Sequence, residues 1–273
     1  MAAGDKASER NGVRDDGVPA LAARPGSLPD RFAGRVGRHH PVGVFFAALI
    51  GGFAVLAAIS ILLGLLVTDV LVPIHAVGSA DNSFVESLAA DRTPLLTDVS
   101  SVGTAIGGAP VLPILAGLIA IVCALMRRWL IAGFAVFVLM VESATYRVSS
   151  LAVPRERPSV HRLEDLPADA SYPSGHTAAS IAVYAGLALL LTSRLSDRRA
   201  RIVAWTLAVL LPVVVAMSRM YRGMHHPLDV ASGVIVGIGA ITVLLFACRA
   251  ASCAQRSAAA ERTPARAGRA RTA

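Results

Sequence analysis

The chain has 273 residues, of which 55% are hydrophobic and 16% charged, and its mean hydropathy is +0.61. Soluble domains carry about 25% charged residues, so the composition argues against a water-soluble globule, and so much apolar surface argues equally against an extended disordered chain. Lys+Arg exceed Asp+Glu by 26 to 18, and on an apolar chain a net charge of +8 marks basic loops facing an anionic membrane rather than nucleic acid.

Residues 1–41 are rich in Gly, Pro, Ala and mixed charge, a composition expected of a disordered tail. The first apolar run opens only at Val42, which gives no reason to expect a cleavable leader. A bilayer core about 30 Å thick takes about 20 apolar residues of helix. Six stretches approach that length: 42–68, 103–126, 129–153, 176–192, 202–217 and 230–248. The expected fold is therefore an all-α, polytopic bundle of six transmembrane helices spanning 42–248. After it comes a second disordered, basic tail over 249–273. Between the first two spans, Phe84, Val85, Leu88, Leu95 and Leu96 alternate with Asp81, Glu86, Asp91 and Asp98, which predicts a helix lying along the interface. Pro110, Pro113 and Pro212 are expected to kink helices. Cys123, Cys248 and Cys253 have neither the number nor the spacing of a disulfide framework or a zinc cluster.

Direction follows from the arginines. With the N-terminus inside, nineteen of the 26 Lys/Arg fall in the two tails, the 127–128 turn and the 194–201 turn. This is the positive-inside bias, and it places both termini in the cytoplasm. Lys6 is the sole lysine and alanine is abundant, a composition that suggests a GC-rich bacterial genome and hence a bacterial cytoplasmic membrane. The outer side receives Arg92, Arg147, Arg155, Arg157, Arg162, Arg219 and Arg222.

Three segments at the outer helix ends suit an anion: 154–158, 173–176 and 218–229. Pro173-Ser174-Gly175-His176 opens a helix, where free N–H groups and the positive end of the dipole attract phosphate. Gly175 permits close backbone approach, and the Ser174 hydroxyl can cap the helix, donate to a bound oxygen, or do both. Arg157 and Arg219 carry guanidinium forks that match phosphoryl oxygens in pairs. His225 and Asp229 are four residues apart at a helix start and share a face. A carboxylate on one imidazole nitrogen would fix the tautomer and leave the other nitrogen as nucleophile, with His176 available as general acid. His176, His225, His226 and Asp229 are also metal-ligand types, but the arginines crowding them would repel a cation, so no metal is expected. Glu142, in mid-span, is read either as a partner of Arg147 or Tyr146 or as a group with a direct role near the pocket.

These blocks resemble the type 2 phosphatidic acid phosphatase family, whose fold and pocket are shared with vanadium haloperoxidases. The family pattern is Lys-x6-Arg-Pro, Pro-Ser-Gly-His and Ser-Arg-x5-His-x3-Asp. This chain reads Arg157-Pro158, Pro173-Ser174-Gly175-His176 and Ser218-Arg219-x5-His225-x3-Asp229, and the likeness extends over roughly residues 41–248. The family lysine falls on Ser150, leaving Arg147, Arg155 or no residue at all as its replacement. The resemblance implies cofactor-free and metal-independent hydrolysis of a phospholipid or polyprenyl (di)phosphate at the outer membrane face. In that mechanism His225 forms a phosphohistidine, Asp229 orients it, and His176 protonates the leaving group. Arg157, Ser174, Gly175 and Arg219 hold the phosphate. The alternatives are a catalytically impaired lipid-phosphate-binding membrane protein, with Ser150 at the lysine position, and a vanadate-dependent haloperoxidase.

Overall fold

The structure, a computed structural model, describes residues 18–37 and 40–269. After a 3-10 turn at Pro19–Leu21 come α1 (Leu28–Val36), α2 (Pro41–Leu71, π-helical over Leu66–Leu71) and α3 (His75–Ala90). Next are α4 (Pro94–Ile106), α5 (Val111–Leu125) and α6 (Trp129–Ala152). The chain ends with α7 (Gly175–Thr192), α8 (Arg198–Tyr221) and α9 (Pro227–Arg269). Among the described residues, six stretches are long and apolar enough to cross a membrane: α2, α4 with α5, α6, α7, α8 and the first part of α9. The expected spans all recur; the first, fifth and sixth are longer at both ends, the second starts earlier at Pro94, and the third and fourth match to within a residue.

Their outward faces explain the composition. Ile50, Val55, Ile59 and Leu62 on α2, and Ile114, Leu118, Ile121 and Leu125 on α5, are exposed. In water such a surface would aggregate, whereas in a bilayer it faces lipid chains. The protein is an integral membrane protein. Its core lies where α9 packs along α2, α6 and α7, with Phe45, Leu49, Leu56, Phe134, Val138 and Leu244 buried together.

The described parts of the two tails carry helix, while 1–17, 38–39 and 270–273 lie outside the described residues. The helix α9 runs on past Arg249 to Arg269, and its Ala250, Ala251, Cys253 and Ala254 are buried against Val18, Leu21 and Ala33. Arg249 and Arg256 donate to the carbonyls of Ala20 and Ala23, each at 2.9 Å. Alanine, which composition counted toward disorder, is also the best helix former, and Leu21 with Phe32 supplies the apolar cover.

The segment between the first spans holds two helices, and α3 does more than rest on an interface. Asp81 and Val85 on α3 are buried, so the acid that the pattern assigned to solvent points into the protein. The following helix, α4, is the first part of the second span, which breaks at Gly107–Pro110. Pro113 sits in the first turn of α5, where its missing N–H costs nothing, and Pro212 is buried inside α8. The break lets α5 start hard against the neighbouring helices. A Cβ on Gly108 would stand 2.6 Å from His176 Nε2, and therefore only glycine fits there.

Candidate active site

At one end of the bundle, a loop from the end of α6 to the start of α7 folds over the ends of α8 and α9. Short backbone pairings shape it: Arg155 N–H to Asp169 O at 3.0 Å, Arg157 N–H to Ala168 O at 2.9 Å, and Ser171 N–H to Arg155 O at 3.0 Å. Ser174 N–H donates to Asp229 O at 3.0 Å, tying the start of α7 to the start of α9. A cavity of about 320 Å³ opens beneath, with Arg157, Gly175, His176, Arg219 and His225 in its wall.

His225 is 3% exposed, and its Nδ1 lies 2.7 Å from the carbonyl oxygen of Ser171. A carbonyl can only accept, so Nδ1 carries the proton and Nε2 keeps its lone pair. Burial, reinforced by Arg219 and Arg157 and opposed by Asp229, holds the imidazole pKa well below 6.5. His225 is therefore neutral at neutral pH, the form a nucleophile requires. The same shift has a consequence for stability. The unfolded chain takes a proton at this position near pH 6.5 while the folded chain refuses it, so stability falls as pH drops below that value. We expect Tm in detergent to fall more between pH 7 and pH 5 for the native chain than for His225→Gln; equal slopes would remove His225 as the cause.

Asp229 does not contact His225 directly, contrary to the shared-face expectation. Its Oδ2 accepts from Ser171 Oγ at 2.6 Å, from His226 N–H at 2.9 Å and from His226 Nδ1 at 3.3 Å. Its Oδ1 is bound by Arg155 Nη1. The carboxylate therefore acts through Ser171, whose hydroxyl it holds and whose carbonyl holds His225. Arg155 also reaches Asp81 Oδ2 at 2.5 Å, and Asp81 Oδ1 accepts from Leu228 N–H at 2.9 Å. The first turn of α9 is thus fixed from α3 by a buried Asp81–Arg155–Asp229 triad.

Arg219 is fully buried. Its Nη1 meets Thr104 Oγ1 at 2.6 Å and the two carboxylate oxygens of Glu164 at 2.7 and 2.8 Å. Its Nε and Nη2 have no partner, although both are buried. Donors left open in the wall of a cavity are what an incoming phosphoryl group would satisfy. Glu164 also binds Arg222 Nε at 2.6 Å. Burial works against its charge, yet the two arginines win and keep its carboxyl below the usual carboxylate range. Arg157 is held by the carbonyls of Pro167 and Ala170, each at 2.8 Å, and by that of Met224. That fixes its guanidinium rather than leaving it a loose arm.

Residues 128–251, which run from the start of α6 into α9 and include all three motif blocks, match the family model of the PAP2 superfamily. Over this stretch the chain is similar to that superfamily. An undecaprenyl-diphosphatase of Sulfolobus acidocaldarius is 34% identical over 108 residues, 40% of this chain and 48% of that protein. A decaprenylphosphoryl-5-phosphoribose phosphatase of Mycobacterium tuberculosis is 34% identical over 120 residues, 42% of this chain and 59% of that protein. The matched region thus spans about half the length of these curated relatives. A crystal structure of a transmembrane PAP2-type phosphatidylglycerolphosphate phosphatase from Bacillus subtilis superposes with a TM-score of 0.58 at 25% identity, covering 75% of this chain and 93% of that one.

Set on the PAP2 pattern, His176, His225, Arg157, Arg219 and Gly175 converge on one cavity. Gly175 packs closely there, since a Cβ would stand 3.1 Å from the Tyr146 ring and push it by a few tenths of an ångström. Ser174 departs from expectation: its hydroxyl pairs with Thr177 Oγ1 at 2.9 Å and makes no cap bond, and the residue is not in the cavity wall. Neither candidate for the missing lysine reaches the cavity. Arg147 is exposed on α6, and Arg155 is occupied by Asp81 and Asp229. Among the described residues, the cations in the wall are Arg157 and Arg219. Glu142 pairs with neither Arg147 nor Tyr146; Ser143 Oγ donates to its Oε2 at 3.1 Å. Asp81, Glu164, Thr104 and Ser171 complete the site, and the motif blocks contain none of them.

Proposed function

We propose that this protein is a metal-independent lipid-phosphate phosphatase whose site opens at the outer membrane face. The observation that carries the reading is a neutral His225 with Nε2 free, in one cavity with His176 and with the two unsatisfied donors of Arg219. His225 Nε2 attacks phosphorus. The bond to the leaving oxygen breaks, and the protonated His176 gives that oxygen its proton. His176, now neutral, takes a proton from water; the water oxygen attacks phosphorus, the P–N bond breaks, and inorganic phosphate leaves. Arg219, Arg157 and the N–H groups at the start of α7 stabilise charge on the equatorial oxygens throughout. The two arginines would repel a metal cation. The arginine asymmetry supports the outer placement, since the 127–128 and 194–201 turns lie at the opposite ends of the same helices.

A second reading, a lipid-phosphate binder without turnover, draws on Ser150 at the lysine position. The two are separated by one experiment. Protein in lipid nanodiscs, with EDTA present, is expected to release phosphate from phosphatidic acid, phosphatidylglycerol phosphate or a polyprenyl diphosphate. Binding of these lipids with no release from any of them would favour the second reading and refute the first.

A further inference from the structure

At the end of the bundle opposite the catalytic cavity, the turn from α5 to α6 is closed by Arg127 N–H to Ala124 O and Arg128 N–H to Cys123 O, each at 2.8 Å. This pair of bonds is the helix ending whose turn residue takes a left-handed backbone, a place normally filled by glycine. Arg127 fills it at a φ of 58°, and among the described residues no other non-glycine residue has a positive φ. A Cβ strains that conformation, so the turn by itself favours glycine. Strain of this kind clusters at ligand-binding and functional sites.

Arg127 lines a cavity of about 430 Å³ between the starts of α2 and α6 and the stretch of α9 at Ala251 and Gln255. Most of the wall is apolar: Phe45, Phe46 and Phe137 meet edge to face, with ring centroids 5.3 to 5.6 Å apart. A Cβ on Gly133 would meet nothing within 4 Å, so the wall is open there. Trp129, exposed at the start of α6, sits where tryptophan marks a membrane boundary. None of the lining residues is acidic, and among the described residues none pairs with the Arg127 guanidinium. We propose that this cavity binds one anionic glycerophospholipid from the leaflet at that end, its acyl chains against the three phenylalanines and its phosphate on Arg127. A guanidinium matches the paired oxygens of a phosphodiester, while a zwitterionic headgroup would bring an ammonium that no carboxylate in the wall receives. The lipid bridges α2, α6 and α9, and because it binds only the folded chain it stabilises the fold.

The test is thermal unfolding of the full chain in a neutral detergent, with phosphatidylglycerol, phosphatidylcholine or glycerol phosphate added at equal concentration. At saturation, phosphatidylglycerol is expected to raise the native Tm by about 5 °C, phosphatidylcholine by much less, and glycerol phosphate not at all. Arg127→Gly relieves the backbone, so its Tm without lipid should equal the native value or exceed it by about 2–4 °C, while the increment from phosphatidylglycerol falls to that from phosphatidylcholine. Arg127→Lys, which keeps the charge without the fork, should retain part of the increment. Gly133→Leu, which fills the open wall, should lose the response to both lipids. Equal increments from the two lipids in the native protein overturn the proposal, since hydrocarbon alone then fills the cavity. So does stabilisation by glycerol phosphate, which would need no acyl chains. An increment unchanged in both Arg127→Gly and Gly133→Leu places the lipid elsewhere, the catalytic cavity included, and overturns it as well. A lower lipid-free Tm in Arg127→Gly would do the same, because the arginine would then serve the fold.

Discussion

His225→Ala is expected to fold and to release no measurable phosphate from any lipid the native protein hydrolyses. The imidazole is positioned by one bond to a backbone carbonyl and makes no ion pair, so its removal leaves no charge stranded. What disappears is the atom that bonds to phosphorus. Water held in the same cavity can still react slowly with the aligned phosphate, so the loss is set by the covalent route alone, about 10⁴-fold or more. Two readouts make the result specific. Incubation with ³²P-labelled lipid should label the native chain through an acid-labile, base-stable bond, and His225→Ala should take up none. Binding of lipid phosphate should persist in the variant, because Arg157 and Arg219 remain. Retained turnover would end the phosphohistidine mechanism, and lost binding together with lost turnover would mean that the variant had collapsed the cavity.

The spans were legible because hydrocarbon demands a long apolar run and permits little else. The convergence of His176, His225 and Arg219 on one cavity was legible because their positions in the sequence sit at the ends of those spans. What escaped depends on contacts across the chain. The bond orienting His225 goes to the carbonyl of Ser171, a group every residue possesses, so no side-chain pattern can announce it. Asp81 read as a solvated acid in an amphipathic segment because the alternation around it fits a surface helix. Only the docking of α3 against α9 shows that it points inward to Arg155. Glu164 lies in the loop before α7 with no periodicity to mark it, yet it fixes the cavity-wall arginine whose Nε and Nη2 have no partner. The helix in the described parts of the tails was not legible for a different reason: alanine and arginine suit a solvated coil and a helix alike, and the packing of Ala250, Ala251 and Ala254 with Val18 and Leu21 is a contact across the chain.

Arg155→Met gives the second large effect, and it separates two roles for that residue. As a stand-in for the family lysine, Arg155 would touch phosphate, and its loss would raise KM while leaving the fold untouched. As the bridge between Asp81 and Asp229, its loss leaves two buried carboxylates without their shared cation. Breaking a buried pair by deleting one partner costs about 3–5 kcal/mol. For a chain of this size that is a fall in Tm of roughly 10 °C in detergent. Turnover should fall as well, because Asp229 governs Ser171, and Ser171 governs the direction of His225 Nε2. Adding Asp81→Asn to Arg155→Met removes one of the stranded charges and should recover part of the lost stability. It should recover little of kcat, since Asp229 still lacks the guanidinium that holds Oδ1. Arg155→Lys should rescue poorly, because a single ammonium cannot reproduce the fork that reaches both acids. A raised KM with unchanged Tm in Arg155→Met would return Arg155 to the phosphate. The expected pattern, with Tm and kcat falling together and stability partly restored by Asp81→Asn, would assign it to holding α3 and α9 in register around the nucleophile.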